Sequence, residues 1–552
     1  MTSTTDIPAT TTTASSPAPL PASHDQDTPP VSGCNDGLPR LCARSHAWLS
    51  PLCLFACLLL AWPVIIAPSP AAVGWDDAYY LHRAACITHA IFEPTLTDFS
   101  NCLALVVKAP LMAWLAWPWG AQAATSAGIG LPFVSLAVLT FGVVIAIAEV
   151  MLWLAIPPLL ILLAFASLSL NQLLWVIAGG YEGDTLVSLL VVLLGLLVPL
   201  EFRCSRRGLW HSIARGLAWG AVIALGVMTK TSFGYFAALL GPALLYLRAS
   251  RTSLADGAIA ATAGLVTIAP VVAYHLVHWD TIIGHVLIST VGAQAKYTSY
   301  GLGFGGYLVT LFGRWGWFSA VVGAALVATL AATLISRPSL HAKRSVRTWA
   351  WLGWPALVLV GYLLLTASSQ NHDLRYGLPF LVGLPFALAA LATAEPAGPV
   401  LRCGTPTNGV LAVLLVSVLL SIPMIQRPDL RYVSEARTVL AALPNDRPFT
   451  LLVASDDSAI NLETFLLAQQ LDLQRFGRLH IDTVVYDEML GHSETEMIDR
   501  LTQADGVVLL SGLIRKAPEW TNRHAASFRE HILAKGAHRQ DVGLPFLELY
   551  LR

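Results

Sequence analysis

Long apolar runs separated by short polar steps fill most of this chain, and a faster alternation of short apolar stretches with mixed ones fills its end. The first run, about 47–67, is long enough to cross a hydrocarbon core of roughly 30 Å. Further runs of spanning length fall near 127–150, 154–177, 185–202, 213–229, 231–247, 257–277, 316–336, 349–367, 376–394 and 408–425. The pattern therefore predicts about 11 transmembrane helices within residues 47–425. Pro157 and Pro158 punctuate one tightly joined pair and Thr229-Lys230-Thr231 another. Residues 1–46 are rich in Thr, Ser, Pro and Ala without hydrophobic periodicity, which reads as a disordered tail. So long a leader argues against a cleaved signal peptide in the first run.

From 429 to 552 the pattern changes to that of a small α/β domain. Helix-like stretches are Val433–Leu443, Ile460–Leu471, Glu494–Ala504 and His524–Lys535; strand-like runs are Phe449–Ala454, Ile481–Tyr486, Val507–Leu510 and Phe546–Leu551. Asp456 and Asp457 follow the first strand-like run. Ligands favour such strand ends in open sheets, but the expectation is that one of these acids caps the next helix.

Composition sharpens the division. Of 552 residues 55% are hydrophobic and 12% charged, with a mean hydropathy of +0.63; soluble domains carry about 25% charged residues. Residues 429–552 hold 18 of the 34 acidic and 13 of the 33 basic side chains, so the charge-poor remainder is the membrane part. The fold class expected is a mainly α-helical polytopic membrane protein with a small C-terminal α/β domain. A net charge of −1 gives no electrostatic reason to expect a nucleic-acid partner.

Lys and Arg favour the cytoplasmic side of short loops. With 11 spans, Arg40, Arg44, Arg203, Arg206, Arg207, Arg215, Arg248, Arg251, Arg337, Lys343, Arg344, Arg347 and Arg402 share one side. The other side receives Arg83, Lys108, Lys230, Lys296, Arg314 and Arg375. The bias places the N-terminus in the cytoplasm and the C-terminal domain outside.

Acids, bases and aromatics recur on that outer side. The first outer loop reads Gly74-Trp75-Asp76-Asp77-Ala78-Tyr79-Tyr80, and adjacent carboxylates there suit either a helix start or a general base. Lys108 opens a Trp-rich stretch suited to an interfacial helix, as an anchor or facing a phosphate. Glu182 and Asp184 stand at the outer end of the fourth span. Lys230, between two apolar runs, needs a partner: a phosphate or one of those acids would serve. His372 and Arg375 form a polar cap before an apolar span, next to Tyr376; interface anchoring is the default role, and Arg also suits bidentate phosphate contact. The Gly- and Tyr-rich segment 278–315 reads as a long loop, of a length often seen in lids or binding segments. Cys86 and Cys102 share the first outer loop, where an oxidising compartment permits a bridge that would brace Asp76 and Asp77. No C-x-x-C pair or Walker sequence occurs.

These residues together resemble the GT-C membrane glycosyltransferases, in the branch of protein O-mannosyltransferases and aminoarabinose transferases. Asp76-Asp77-Ala78-Tyr79-Tyr80 is similar to that branch's acidic pair and Tyr, and Lys108-Ala109-Pro110-Leu111 to its basic-Pro-Leu element. Gly226-Val227-Met228-Thr229-Lys230 resembles its Gly-x-x-Thr-Lys segment, and Arg375-Tyr376-Gly377-Leu378-Pro379 its Arg-Tyr-x-x-Pro segment. Asp77 replaces the usual Glu and Ala109 a frequent Pro, which leaves sugar and acceptor open. The resemblance implies inverting transfer of a sugar from a polyprenyl-phosphate donor to a hydroxyl of a glycan, lipid or protein, outside a bacterial plasma membrane. It implies Asp76 as the base supported by Asp77. Lys108, Lys230 and Arg375 would hold the donor phosphate, and Tyr80, Glu182, Asp184, His372 and Tyr376 would line the substrate site. Neither a cofactor nor a divalent metal is expected. The alternative is a secondary transporter or flippase, which would need ionisable residues near the midplane and often an internal repeat. No repeat relates the halves of this sequence.

Overall fold

The computed structural model describes residues 69–92, 110–116, 130–169, 183–203, 207–290, 353–364, 374–393, 426–512 and 522–552, with short internal gaps, and a few isolated positions such as Cys102. The runs 1–46, 47–67, 316–336 and 408–425 lie outside the described residues. In chain order the helices of the apolar part are α1 (Trp75–Phe92), α2 (Leu111–Ala116), α3 (Gly130–Trp153), α4 (Pro158–Ser169) and α5 (Asp184–Arg203). They continue with α6 (Leu209–Thr229), α7 (Phe233–Arg251), α8 (Leu254–Val277), α9 (Trp279–Thr290) and α10 (Leu378–Thr393). Among the described residues, α5, α6 and α8 are long and apolar enough to cross a membrane. The segment 278–315 therefore opens as a helix rather than a loop. Asp280 in the first turn and Ile282, Ile283, Val286 and Leu287 on successive turns specify α9, a signal masked by the Gly and Tyr that follow.

A helix apolar on every side belongs in an interior. In α5 every residue from Leu186 to Phe202 is buried, with α3, α6, α7 and α10 packed around it. The closest pairing is α6 against α8. A Cβ added to Gly216 would stand 2.2 Å from the Ala260 carbonyl oxygen, and one added to Gly220 2.7 Å from that of Gly264. Small residues four apart on both helices let the backbones meet, the usual device where lipid removes the hydrophobic drive for association. The far side of α8 is open: Leu265 and Val266 are 67% and 65% exposed, with Val272, Leu276 and Val277 beside them. Such an apolar face needs hydrocarbon against it, and the chain is an integral membrane protein.

Polar clusters bracket this bundle, about 26 Å apart along α5. At the end where α5 and α7 finish, Arg248 donates to Glu201 at 2.9 Å, and neither side chain is exposed. Arg248 also donates to Ser212 (2.8 Å), Ser212 donates to Asp256 (2.8 Å), and Arg215 lies 3.6 Å from Glu201. Arg248, expected as a loop charge, is thus an interior one that pins four helix ends, because a buried ion needs both a counter-charge and hydrogen bonds.

The C-terminal part is an α/β unit. Strands β3 (Phe449–Val453), β4 (Leu479–Thr483), β5 (Gly506–Leu510), β6 (His538–Gln540) and β7 (Leu547–Leu551) form a sheet in the order β4-β3-β5-β7-β6. The first three are parallel; β7 runs antiparallel to β5 and β6 to β7. Helices α11 (Arg431–Ala441), α12 (Leu462–Gln470) and α13 (Leu473–Phe476) cover one face, and α14 (Glu494–Gln503) and α15 (Ala525–Ala534) the other. Both faces being covered explains the continuous apolar run of β5. The short polar edge strand β6 carries no such signal. Ser493 and Glu496 form a capping box on α14. The cap of α12 is Asn461, not Asp456 or Asp457: its side chain accepts the Thr464 N–H. Asp457 N–H instead donates to the Ile460 carbonyl.

Two short strands join the ends of the membrane part. β1 (Ser69–Ala72) pairs in parallel with β2 (Gln426–Asp429), Ser69 opposite Gln426. The segments leading into α1 and α11 therefore run side by side.

Candidate functional site

Asp76 and Asp77 occupy the first turn of α1, where the helix dipole favours negative charge. Downstream, α1 is buried on nearly every side, from Ala78 through Ile87. Tyr79 and Tyr80 meet edge to face, with centroids 5.4 Å apart, and the Arg83 guanidinium lies over the Tyr79 ring at 5.3 Å. Tyr80 is thus a packed residue, 7% exposed. Cys86 is bridged to Cys102, which ties the middle of α1 to the chain entering α2. Cys86, Ile87, Ala90, Cys102 and Ala113 form a small apolar cluster around the bridge.

The other side of α1 meets the α/β unit. Ala78, Tyr79, Tyr80, Leu81 and Ala84 share a single apolar core with Val433, Val439, Phe465 and Ala468 of α11 and α12. His82 Nδ1 lies 3.3 Å from Glu463 Oε2, and His89 Nε2 2.9 Å from the Gln470 carbonyl oxygen.

Met112 of α2 belongs to the same core, and it links α1 to a second set of polar residues. A Cβ on Gly183 would lie 3.4 Å from Met112 Sδ and 2.6 Å from Thr229 Cγ2, so the start of α5, the end of α6 and α2 meet at this glycine. The next residue, Asp184, is buried and accepts a hydrogen bond from Lys230 Nζ at 2.6 Å. Lys230 ends α6: its N–H donates to the Gly226 carbonyl, and Gly226 leaves room for the Phe233 ring that closes the tight turn into α7. The ammonium also stands 5.1 Å from the centroid of the Tyr376 ring, a cation–π contact. Tyr376 and Arg375 come from the 3-10 turn Leu374–Gly377 ahead of α10. Burial disfavours the charged amine, but the Asp184 carboxylate outweighs it and holds the Lys230 pKa above its ordinary value, against the opposing charge of Arg375.

Four residues expected at the site, Asp184, Lys230, Arg375 and Tyr376, thus converge from three separate segments, and the acid partner that Lys230 required is Asp184. Lys108, Glu182 and His372 lie outside the described residues, as do the side chains of Asp76 and Asp77. Among the described residues no group of three or more His, Cys, Asp or Glu is arranged to hold a metal ion. Sequence reading missed His82 and Glu463. Their only trace is spacing: His82 and His89 lie seven apart, as do Glu463 and Gln470, two helical turns in each case.

No family model and no curated protein matches this chain. Among solved structures, ArnT from Cupriavidus metallidurans, in a crystal structure bound to undecaprenyl phosphate, is similar over 91% of this chain and 98% of its own, with 13% identity and a TM-score of 0.53. The arabinofuranosyltransferase AftD from Mycobacteria is similar over 92% of this chain, which spans 41% of that longer protein, with 15% identity and a TM-score of 0.50. At these identities the likeness is one of fold. The chain shares the fold of these solved structures, with a helical membrane bundle, a buried helix opening on two acids and a C-terminal α/β unit packed against that helix.

Proposed function

We propose that this protein transfers a sugar from a polyprenyl-phosphate donor to an acceptor hydroxyl on the outer face of the membrane, with inversion at the anomeric carbon. The observation that carries the reading is the joining of Lys230, Asp184, Arg375 and Tyr376 to the acidic helix α1 through Met112 and Gly183. ArnT, of the same fold, has been captured with undecaprenyl phosphate, a donor-type lipid whose anionic head suits these cations.

In the reaction, Asp76, supported by Asp77, takes the proton of the acceptor hydroxyl. The acceptor oxygen forms its bond to the anomeric carbon from the face opposite the leaving group. The bond from that carbon to the phosphate oxygen breaks, and its electron pair leaves with the polyprenyl phosphate. Lys230, Arg375 and Lys108 stabilise the charge that grows there, preorganised electrostatics of the kind that usually contributes most. Asp184 keeps Lys230 charged and aimed, with the Tyr376 ring against the ammonium; Glu182 and His372 complete the surroundings of the sugar, while Tyr80 packs α1 in place.

Outer placement is supported by the Cys86–Cys102 bridge, which suits an oxidising compartment. The β1–β2 pair supports a shared side for the two ends of the membrane part. Hydrogen-bonded strands share one side of a bilayer, so the chain between Ala72 and Gln426 crosses it an even number of times. The Arg-rich cluster around Glu201 then falls on the cytoplasmic side, as the charge bias requires. Reconstitution with polyprenyl-phosphate sugars, comparing wild type with Asp76→Asn and Asp77→Asn, tests the reading. Transfer unaffected by either change eliminates the proposed base, and movement of substrate without bond formation identifies a transporter.

A further inference from the structure

The two tethers on α1 do more than dock a soluble unit on a membrane bundle. Ahead of the acids, β1 is hydrogen-bonded to β2 over four residues. Behind them, His82 faces Glu463 and His89 faces Gln470. Both pairs are separated by 381 positions in the chain, so α1 and α12 run in the same direction with unchanged register for two turns. Two turns of constant register hold α1 against sliding and against rotation, and the apolar core of Tyr79, Tyr80, Ala84, Phe465 and Ala468 fills the space between. Among the described residues, the disulfide to Cys102 and the packing of Met112 also connect α1 to the segment of α2. His82 lies six residues past Asp76, about 9 Å along the helix axis, so a displacement at this contact reaches the acidic turn through one rigid element.

We propose that the C-terminal α/β unit sets the position of the Asp76–Asp77 turn, and that Glu463 and His82 are positioning residues for transfer. The proposal rests on the glycosyl-transfer reading above. It assigns the unit a task in the reaction, delivery of the base to the acceptor, and leaves grip on the donor phosphate to the bundle. Misplacement of a reacting group by an ångström can cost about a hundredfold in rate, so loss of one of two tethers is expected to be felt in turnover and not in donor binding.

The test uses the full-length protein reconstituted with a polyprenyl-phosphate sugar. Glu463→Ala is expected to lower kcat about tenfold with the donor KM unchanged. Glu463→Gln, which still accepts the His82 N–H, is expected to keep most of the wild-type kcat. His82→Ala cuts the same contact from the α1 side and is read in the same way if Glu463→Ala does not accumulate. A wild-type kcat in the alanine variants overturns the proposal, and so does a rise of donor KM in step with the loss. Asp76→Asn measured alongside separates the two failures. If it transfers at the wild-type rate, the glycosyl-transfer reading itself fails. If it is inactive while the alanine variants are unimpaired, only the positioning role fails.

Discussion

The Asp184–Lys230 pair joins folding to function and offers a way to separate them. Asp184 has 8% of its side chain exposed and Lys230 25%, with 2.6 Å between the charged atoms. Replacing Asp184 by Asn leaves the ammonium of Lys230 without its counter-charge, and Lys230→Met strands the carboxylate. Removal of one partner of a buried pair costs about 3–5 kcal/mol, whereas replacing both is often close to neutral. The partial exposure of Lys230 argues for the lower end, so each single change is expected to cost about 3 kcal/mol and the Asp184→Asn/Lys230→Met double change about 1 kcal/mol. Reversible unfolding in mixed detergent micelles measures the four corners of this cycle. Transfer activity is then measured on the double variant, which folds. A lysine that only satisfies an aspartate is dispensable there; a lysine that holds the donor phosphate is not, and transfer is expected to fall by at least a hundredfold. Additive stability losses refute the ion-pair account, and a double variant that transfers at the wild-type rate refutes the phosphate role of Lys230.

Three further outcomes are expected. Gly216→Ala places a methyl group 2.2 Å from a carbonyl oxygen of α8 and should destabilise by about 1–3 kcal/mol, while Gly142→Ala in α3, with nothing within 4 Å, should stabilise by about 0.5–1 kcal/mol; melting both variants checks this, and shifts of the same sign would refute the close α6–α8 packing. Reduction of the Cys86–Cys102 bridge, which closes a loop of 16 residues, should cost about 3 kcal/mol, seen as a lower midpoint in reductant that Cys86→Ser reproduces; an unchanged midpoint counts against the bridge. Burial lowers the His82 pKa from its ordinary 6.5, outweighing the Glu463 hydrogen bond that raises it, and Arg83 lowers it further. Because the folded state then binds fewer protons than the unfolded one, this stability is fully present above pH 6.5 and lost as the pH falls through the folded value, by up to about 1.4 kcal/mol per unit. Melting at pH 7.5 and 5.5 should show the loss in wild type and a smaller one in His82→Gln, and equal slopes would refute it.

The sequence determined by itself what depends on period and composition. Apolar runs of spanning length marked α5, α6 and α8, because a bilayer demands continuous hydrophobicity. The alternation after residue 429 marked nearly every strand and helix of the α/β unit. The order of short acid, base and aromatic motifs was also enough to suggest the fold that the solved structures share. Tertiary structure alone decided which of these residues meet. Lys230 needed an acid, but that the acid is Asp184 follows from the packing of α5 on α6, with Gly183 against Thr229. Arg248 resembled the other loop arginines until the fold buried it against Glu201. The pairing of β1 with β2, and of His82 with Glu463, spans more than 350 positions, and no local pattern encodes it. Periodicity reports how one segment meets its solvent; contacts between distant segments depend on surfaces that come into being only when the chain has folded.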